Sequence, residues 1–315
     1  MKIAIIGTGA MGCLFAAHLY DAADVVMVGN WPEQLAAIQQ NGLSLEGVNG
    51  RFTHHPIRAT NNPHDAAPVD LAIVLTKSWQ TTQTAQLVHK VLAPDGVALT
   101  LQNGLGNLEK LTAVLGPTHA TLGTTSAGAN IVKPGHVRFA GHGVTHIATT
   151  NATAHIIKPL VEILNQKGLE THISNEVDSL IWGKLVINAG INPLTALLRV
   201  PNGFLAENPI TRAIMAAAAK EVEAVAHKLG IQLPYPDAAK RTLAVAQATA
   251  PNRSSMLQDV LRGAPTEIEA ICGEVVKNGR LANTPTPINQ QLLKLVQSIS
   301  DSPMTIAELQ QIMKI

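Results

Sequence analysis

Lys184, Asn188 and Asn192 recur at every fourth position of residues 181–194, a stretch whose other members are apolar side chains, two glycines and Pro193. On a helix these three drift only about 40° per step and so share one face. Surface faces usually mix Glu, Lys, Gln and Ser. One lysine and two asparagines among Leu185, Ile187 and Ile191 imply instead a polar face turned into partly buried space, where unpaired amides are costly. Burial destabilises an ammonium, which makes a lysine held there a proton donor near neutral pH. Pro193 lacks the N–H of a helix interior and is expected to bend or end the helix.

A second pattern lies at the start of the chain. Gly7-Thr8-Gly9-Ala10-Met11-Gly12 follows the apolar run 2–6 and precedes residues 10–20 of helical composition. The first glycine permits a tight turn, the second lets the backbone approach a pyrophosphate, and the third lets helix and strand pack closely. The helix N-terminus then faces the anion. This predicts a dinucleotide site. After the second apolar run (24–28) comes Gly29-Asn30-Trp31, with neither the carboxylate that holds a ribose diol nor an arginine for a 2′-phosphate. The missing carboxylate leans toward NADP and leaves NAD open.

Those residues need elements to hold them. Runs 2–6, 24–28, 70–76 and 97–101 read as buried strands, with helices at 10–20, 32–40 and 78–92 between them. Strands alternating with helices mean βαβ units and a parallel sheet. Residues 43–45 and 51–57 suggest a hairpin or crossover insertion. Short β-like runs at 121–126, 136–140 and 143–148 are expected to finish the sheet with antiparallel strands. A helix at 154–166 and an edge strand at 170–173 follow. From about 175 onward only helices are expected, at 177–198, 209–229, 236–250, 266–278, 287–299 and 305–313. The expected domains are therefore 1–174, α/β, and 175–315, all α. In a parallel sheet ligands bind beyond the carboxyl ends of the strands. Lys77 and Gln80 follow one strand and Gln102-Asn103-Gly104 another, on the same rim as the glycine turn.

The composition removes several other functions. The chain has 315 residues, 46% hydrophobic, 14% charged and 3% aromatic, with a net charge of +1. There is no basic stripe for nucleic acid, few rings for base stacking, and no run of about 18 uninterrupted apolar residues to span a membrane. Two distant cysteines, Cys13 and Cys272, form no disulfide framework, which places the chain in a reducing cytoplasm. The histidine pair His142 and His146 sits in glycine-rich β-like sequence and reads as structural, so no metal is expected.

Taken in order, the glycine turn, Lys77 to Gln80, Gln102-Asn103-Gly104, Lys184 to Asn188, Ile191 to Ala196, Pro201-Asn202-Gly203, Ser254 to Asp259 and Thr266-Glu267-Ile268 resemble the ketopantoate reductase (2-dehydropantoate 2-reductase) family over almost the whole chain. The resemblance implies a Rossmann domain followed by a helical domain, and NADPH-dependent reduction of 2-dehydropantoate in pantothenate biosynthesis. It implies Lys184 as general acid with Glu267 as its partner, and Asn103, Asn188, Asn192 and Ser255 as substrate ligands assisted by Asn202. The cofactor would lie on Gly7, Thr8, Gly9, Ala10, Met11 and Gly12, with Asn30, Lys77, Gln80 and Asn103. Asn30 departs from the family by standing where an arginine is frequent. Reduction of another 2-keto acid, opine-type dehydrogenation and a non-catalytic dinucleotide sensor are the competing readings. The implied partner is a small keto acid, and the chain is expected to be a monomer or homodimer.

Overall fold

The computed structural model describes residues 1–313. The chain divides into two compact units: Met1–Gln102 with Asn107–Val177, and Asn103–Gly106 with Asp178 onward.

In the first unit the elements are β1 (Lys2–Ile6), α1 (Ala10–Leu19), β2 (Asp24–Val28), α2 (Pro32–Asn41), β3 (Leu43–Glu46), β4 (Phe52–His55), β5 (Arg58–Thr60), β6 (Val69–Val74), α3 (Thr81–Val91), β7 (Leu92–Thr100), α4 (Asn107–Leu115), β8 (Ala120–Thr125), β9 (Gly128–Lys133), β10 (His136–Gly141), β11 (Thr145–Ile147), α5 (Ala154–Gln166) and β12 (Thr171–Ile173). The main sheet has the order β12-β11-β8-β7-β6-β1-β2-β5. From β5 to β8 every neighbouring pair is parallel. This is the doubly wound Rossmann order, with its switch point between β1 and β6. Both faces are covered, so Ile3, Ala4, Ile5, Leu71, Ala72 and Ile73 are fully buried and the strands lack polar alternation.

The end of the sheet departs from expectation. β8, expected to be antiparallel, pairs parallel with β7; β11 runs against it, and β12 runs parallel to β11. The 136–140 run does not join this sheet. It forms β10 of a second, four-stranded sheet, β4-β3-β10-β9, built on the β3–β4 hairpin. Three helices were not anticipated, α4 here and two in the second unit, because each is nine residues or shorter and carries less than three turns of pattern.

The glycine turn does what its spacing requires. Gly7 has φ +120°, and a Cβ there would lie 2.8 Å from the Leu75 carbonyl carbon and oxygen, just past β6. A Cβ on Gly12 would lie 1.9 Å from the Gly7 carbonyl oxygen. Gly9 differs: it opens α1, and no protein atom falls within 4 Å of its Cβ position. Packing therefore dictates Gly7 and Gly12 but not Gly9. Behind the turn, Cys13 accepts from Gln34 Nε2, and burial pushes its thiol up to about 12.

The second unit contains α6 (Val177–Leu198), α7 (Asn202–Glu207), α8 (Pro209–Lys228), α9 (Ala238–Ala248), α10 (Ser255–Leu261), a π-helical turn (Glu269–Gly273), α11 (Glu274–Leu281), α12 (Pro287–Gln297) and α13 (Ile306–Met313). Its described residues contain no strand. Trp182, Leu185, Val186 and Ala189 of α6 share one core with Ile214, Ala218, Ala219 and Val222 of α8. By length and composition α6 could cross a membrane, but most of it is buried in that core. It does not end at Pro193: the helix continues for five more residues. It stops at Arg199, whose φ of +56° breaks the helical run.

Substituting Gly12 with Ala forces a methyl into the Gly7 carbonyl and is expected to destabilise the first unit by about 3 kcal/mol or more, whereas Gly9→Ala should stay within about 1 kcal/mol of the parent. Urea unfolding followed by circular dichroism measures both.

Candidate active site

Lys184, Asn188 and Asn192 lie on α6, and two glycines on that helix explain how it is oriented. A Cβ on Gly183 would meet the Pro234 ring at 2.8 Å, and one on Gly190 would meet Thr242 Cγ2 at 2.8 Å. These two positions lie roughly 150° round the helix from the lysine–asparagine stripe. The glycine side is thus pressed against the 234–242 segment. There Tyr235 Oη also donates to the Gly183 carbonyl at 2.6 Å.

The stripe faces α10 and the segment before the π-turn. Asn192 is buried and its Nδ2 lies 3.5 Å from Ser255 Oγ, the first residue of α10. A shorter contact holds that pair of helices together. Ser254 Oγ and Thr195 Oγ1 are 2.7 Å apart. Thr195 is also within 3.0 Å of the Ile191 and Asn192 carbonyls, and Ser254 Oγ accepts from Leu257 N–H at 3.1 Å. One proton order satisfies all of these: Ser254 donates to Thr195, and Thr195 donates back to its own helix. Ser254 thus caps α10, the role its residue type suggests, while tying the cap to α6.

Glu267 is buried, 5% exposed, and accepts from Asn103 Nδ2 at 3.2 Å. Asn103 is far away in sequence but belongs to the segment Asn103–Gly106 that the helical unit takes in. That segment is seated on the π-turn. Leu105 N–H donates to the Ala270 carbonyl at 2.9 Å, and Gly104, at φ +80°, would put a Cβ 2.3 Å from the same oxygen. Only glycine meets both demands. Such π-turns are frequent at functional sites, and this one offers a helix carbonyl to the incoming segment.

Electrostatically, Lys184 and Glu267 form one unit. Burial pushes the Lys184 ammonium down to about 8, and the Glu267 carboxylate partly offsets this by favouring the charged form. A lysine in that range can both hold and release a proton near neutral pH, as general acid catalysis requires.

Not every anticipated residue joins this group. Asn202 is buried at the start of α7, but its Nδ2 donates to Thr249 Oγ1 at 2.9 Å and its N–H to the Asn252 carbonyl at 3.0 Å. It fastens α7 to the end of α9. In the first unit, Lys77 caps a short 3₁₀ turn, Ser78–Gln80, directly after β6. Gln80 is the last residue of that turn, and Thr8, Ala10 and Met11 lie at the start of α1. Asn30 is exposed beyond the end of β2. The nearby arginine, Arg58, pairs with Asp24 at the opposite end of β2. The sequence motifs include Gly104 and Thr195 but give neither a role. The first was legible only as part of an Asn-Gly turn, and the second as an interior threonine with no visible partner.

A Rossmann unit with its glycine turn at the switch point, joined to a helical unit carrying a lysine–glutamate pair, defines a dinucleotide-dependent oxidoreductase of the kind that acts on CH–OH groups. The sequence matches the family described as Ketopantoate reductase PanE/ApbA over residues 3–152 and its C-terminal counterpart over residues 176–300. It is 36% identical to the 2-dehydropantoate 2-reductase of Archaeoglobus fulgidus, with 95% of this chain and 97% of that protein covered. It is 30% identical to the Vibrio cholerae 2-dehydropantoate 2-reductase, with 96% and 99% covered. Among solved structures, the PanE/ApbA family ketopantoate reductase of Ralstonia eutropha superposes with a TM-score of 0.87 at 31% identity, covering 95% of this chain and 98% of that one. D-mandelate dehydrogenase with NADH and anilino(oxo)acetate gives 0.86 at 26% identity, with the same coverage. The chain belongs to the ketopantoate reductase family.

Replacing Glu267 with Gln removes the carboxylate that favours the charged lysine. The Lys184 pKa should then fall below about 8, which the pH dependence of its modification by an amine-directed reagent, read by peptide mass spectrometry, measures directly.

Proposed function

We propose that this protein reduces 2-dehydropantoate to pantoate with NADPH, and that Lys184 is the general acid. The observation that carries the reading is the desolvated Lys184 kept charged by buried Glu267. A protein that only sensed dinucleotide would have no use for a proton donor of this kind.

The first unit fits a dinucleotide. The open Cβ position at Gly9, between two glycines fixed by packing, leaves the backbone accessible at the N-terminus of α1. Gly7, Thr8, Gly9, Ala10, Met11 and Gly12 would hold the pyrophosphate, while Lys77 and Gln80 would reach the phosphates from the turn after β6, and Asn30 the adenosine ribose. With no arginine at Asn30, Lys77 carries most of the preference for the 2′-phosphate. When bound, the nicotinamide supplies a hydride to the C2 ketone. Negative charge grows on the carbonyl oxygen as that bond forms. Lys184 stabilises this charge and delivers its proton, giving the 2-hydroxy acid and a neutral amine that is reprotonated from water. Glu267 keeps the ammonium charged and aimed. Asn188, Asn192 and Ser255 would bind the substrate carboxylate and hydroxyl. Asn103 would bridge substrate and cofactor while bonded to Glu267. Such an enzyme works in the cytoplasm as a monomer or homodimer, and its step serves pantothenate biosynthesis.

The likeness to D-mandelate dehydrogenase favours one second reading, reduction of a different 2-keto acid by the same acid and amides. Lys184→Ala should lower kcat by about 10³-fold while leaving NADPH affinity within a few-fold. In the parent enzyme kcat/KM should be level below about pH 8 and fall above it, as the acid loses its proton. Initial rates of NADPH and NADH oxidation with 2-dehydropantoate and a panel of 2-keto acids test all of this. Near-normal turnover by the Lys184 variant refutes the acid assignment, and faster turnover of another acid moves the substrate.

A further inference from the structure

Beyond the carboxyl ends of β6 and β7 lies a cluster of uncharged polar side chains that contains none of the proposed catalytic or substrate-binding residues, centred on Gln102. Its Nε2 lies 2.9 Å from the Thr76 carbonyl, 3.2 Å from Thr76 Oγ1 and 3.0 Å from Thr81 Oγ1. Its Oε1 accepts from Thr100 Oγ1 at 3.0 Å. Thr81 Oγ1 in turn lies 2.9 Å from both the Ser78 carbonyl and Asn107 Oδ1. The orientation of the amide is determined, since the flipped amide would set two oxygens against each other at Thr76.

The two residues that Nε2 contacts lie on either side of one short element. Thr76 immediately precedes Lys77, and Thr81 immediately follows the 3₁₀ turn Ser78–Gln80 that Lys77 caps. One side chain therefore pins both ends of the four-residue stretch 77–80 that presents Lys77 and Gln80. The turn itself is closed by two main-chain bonds, Gln80 N–H to the Lys77 carbonyl at 2.9 Å and Thr81 N–H to the Ser78 carbonyl. Three-residue 3₁₀ turns hold themselves weakly, so an external anchor decides where such a turn sits.

We infer that Gln102 is a positioning residue for the dinucleotide: it fixes the turn that aims Lys77 and so sets NADPH affinity without touching the ligand. This rests on the reading of Lys77 as a phosphate ligand. The test is a double-mutant cycle on direct NADPH binding, measured by calorimetry, with Lys77→Ala, Gln102→Met and the pair. Gln102→Met keeps the length of the side chain and removes both amide groups.

Lys77→Ala is expected to weaken NADPH binding about tenfold, the size of one charge-assisted hydrogen bond, and Gln102→Met by a similar factor. If Gln102 acts through Lys77, the double variant is no more than about twofold weaker than the weaker single variant. Gln102→Glu keeps the acceptor for Thr100 but turns an oxygen toward the Thr76 carbonyl, and should bind as poorly as Gln102→Met. Losses that multiply in the double variant, or Gln102→Met binding within twofold of the parent, overturn the inference while leaving Lys77 as a phosphate ligand. If Lys77→Ala itself binds normally, the phosphate reading falls and the inference with it. Should Gln102→Met fail to fold, Thr100→Val, which removes the donor to Gln102 Oε1, replaces it in the same cycle with the same criteria.

Discussion

A lysine held away from water keeps its proton only if something buried with it favours the charge. Burial alone lowers the Lys184 pKa, and the Glu267 carboxylate works against that fall, leaving a value of about 8. Each group needs the other, because either one buried alone carries an uncompensated charge. Much of the helical unit can be read as the means of keeping these two groups together. Gly183 and Gly190 orient α6, the π-turn follows directly on the segment carrying Glu267, and the Asn103–Gly106 segment supplies the carboxylate with a donor. The Thr195–Ser254 bond holds α10 against the asparagine stripe. Only the Asn103 bond touches a charged group; the others are neutral contacts that hold α6 and α10 in place.

The first unit solves a different problem with different means. It shapes a turn through backbone geometry at the N-terminus of a helix. Two of its three glycines are dictated by contacts below 3 Å with the chain's own backbone, and the third is left open at a helix N-terminus. The cluster beyond β6 and β7 (Thr76, Thr81, Thr100, Gln102 and Asn107) is made of hydroxyls and amides. Such groups can be buried at modest cost when every one is bonded, and they hold position without the pKa shifts that buried charges bring.

Much of this was legible in the sequence, for identifiable reasons. The β1–β2–β6–β7 framework announces itself through continuous apolar runs, because strands buried on both faces need no alternation. The Lys184–Asn188–Asn192 stripe is visible because helical periodicity places its members four apart in an apolar background. What was hidden depends on partners distant in sequence. Asn103 meets Glu267 across 164 positions, and no local pattern reports that. Gln102 is legible only as a rim residue and Thr195 only as an interior threonine until the residues they bond are in place. The parallel direction of β8 was equally hidden, since strand direction is set by the connection through α4, a helix of nine residues. The helix does not end at Pro193, because Ile191, Leu194 and Leu197 on either side of the proline are buried in the shared core and outweigh local propensity.

The Asn103–Gly106 segment also bears on how the protein can be taken apart. The helical unit is not one stretch of chain, because four of its residues come from the middle of the first unit's sequence. A single cut near residue 178 would yield a C-terminal fragment whose Ala270 carbonyl has lost the Leu105 amide and whose Glu267 has lost the Asn103 donor. The matching N-terminal fragment would carry a four-residue loop evolved to sit on a surface it no longer has. The two units therefore cannot be recombined as independent modules with other folds, and any chimera must carry the 103–106 segment and the π-turn from the same parent.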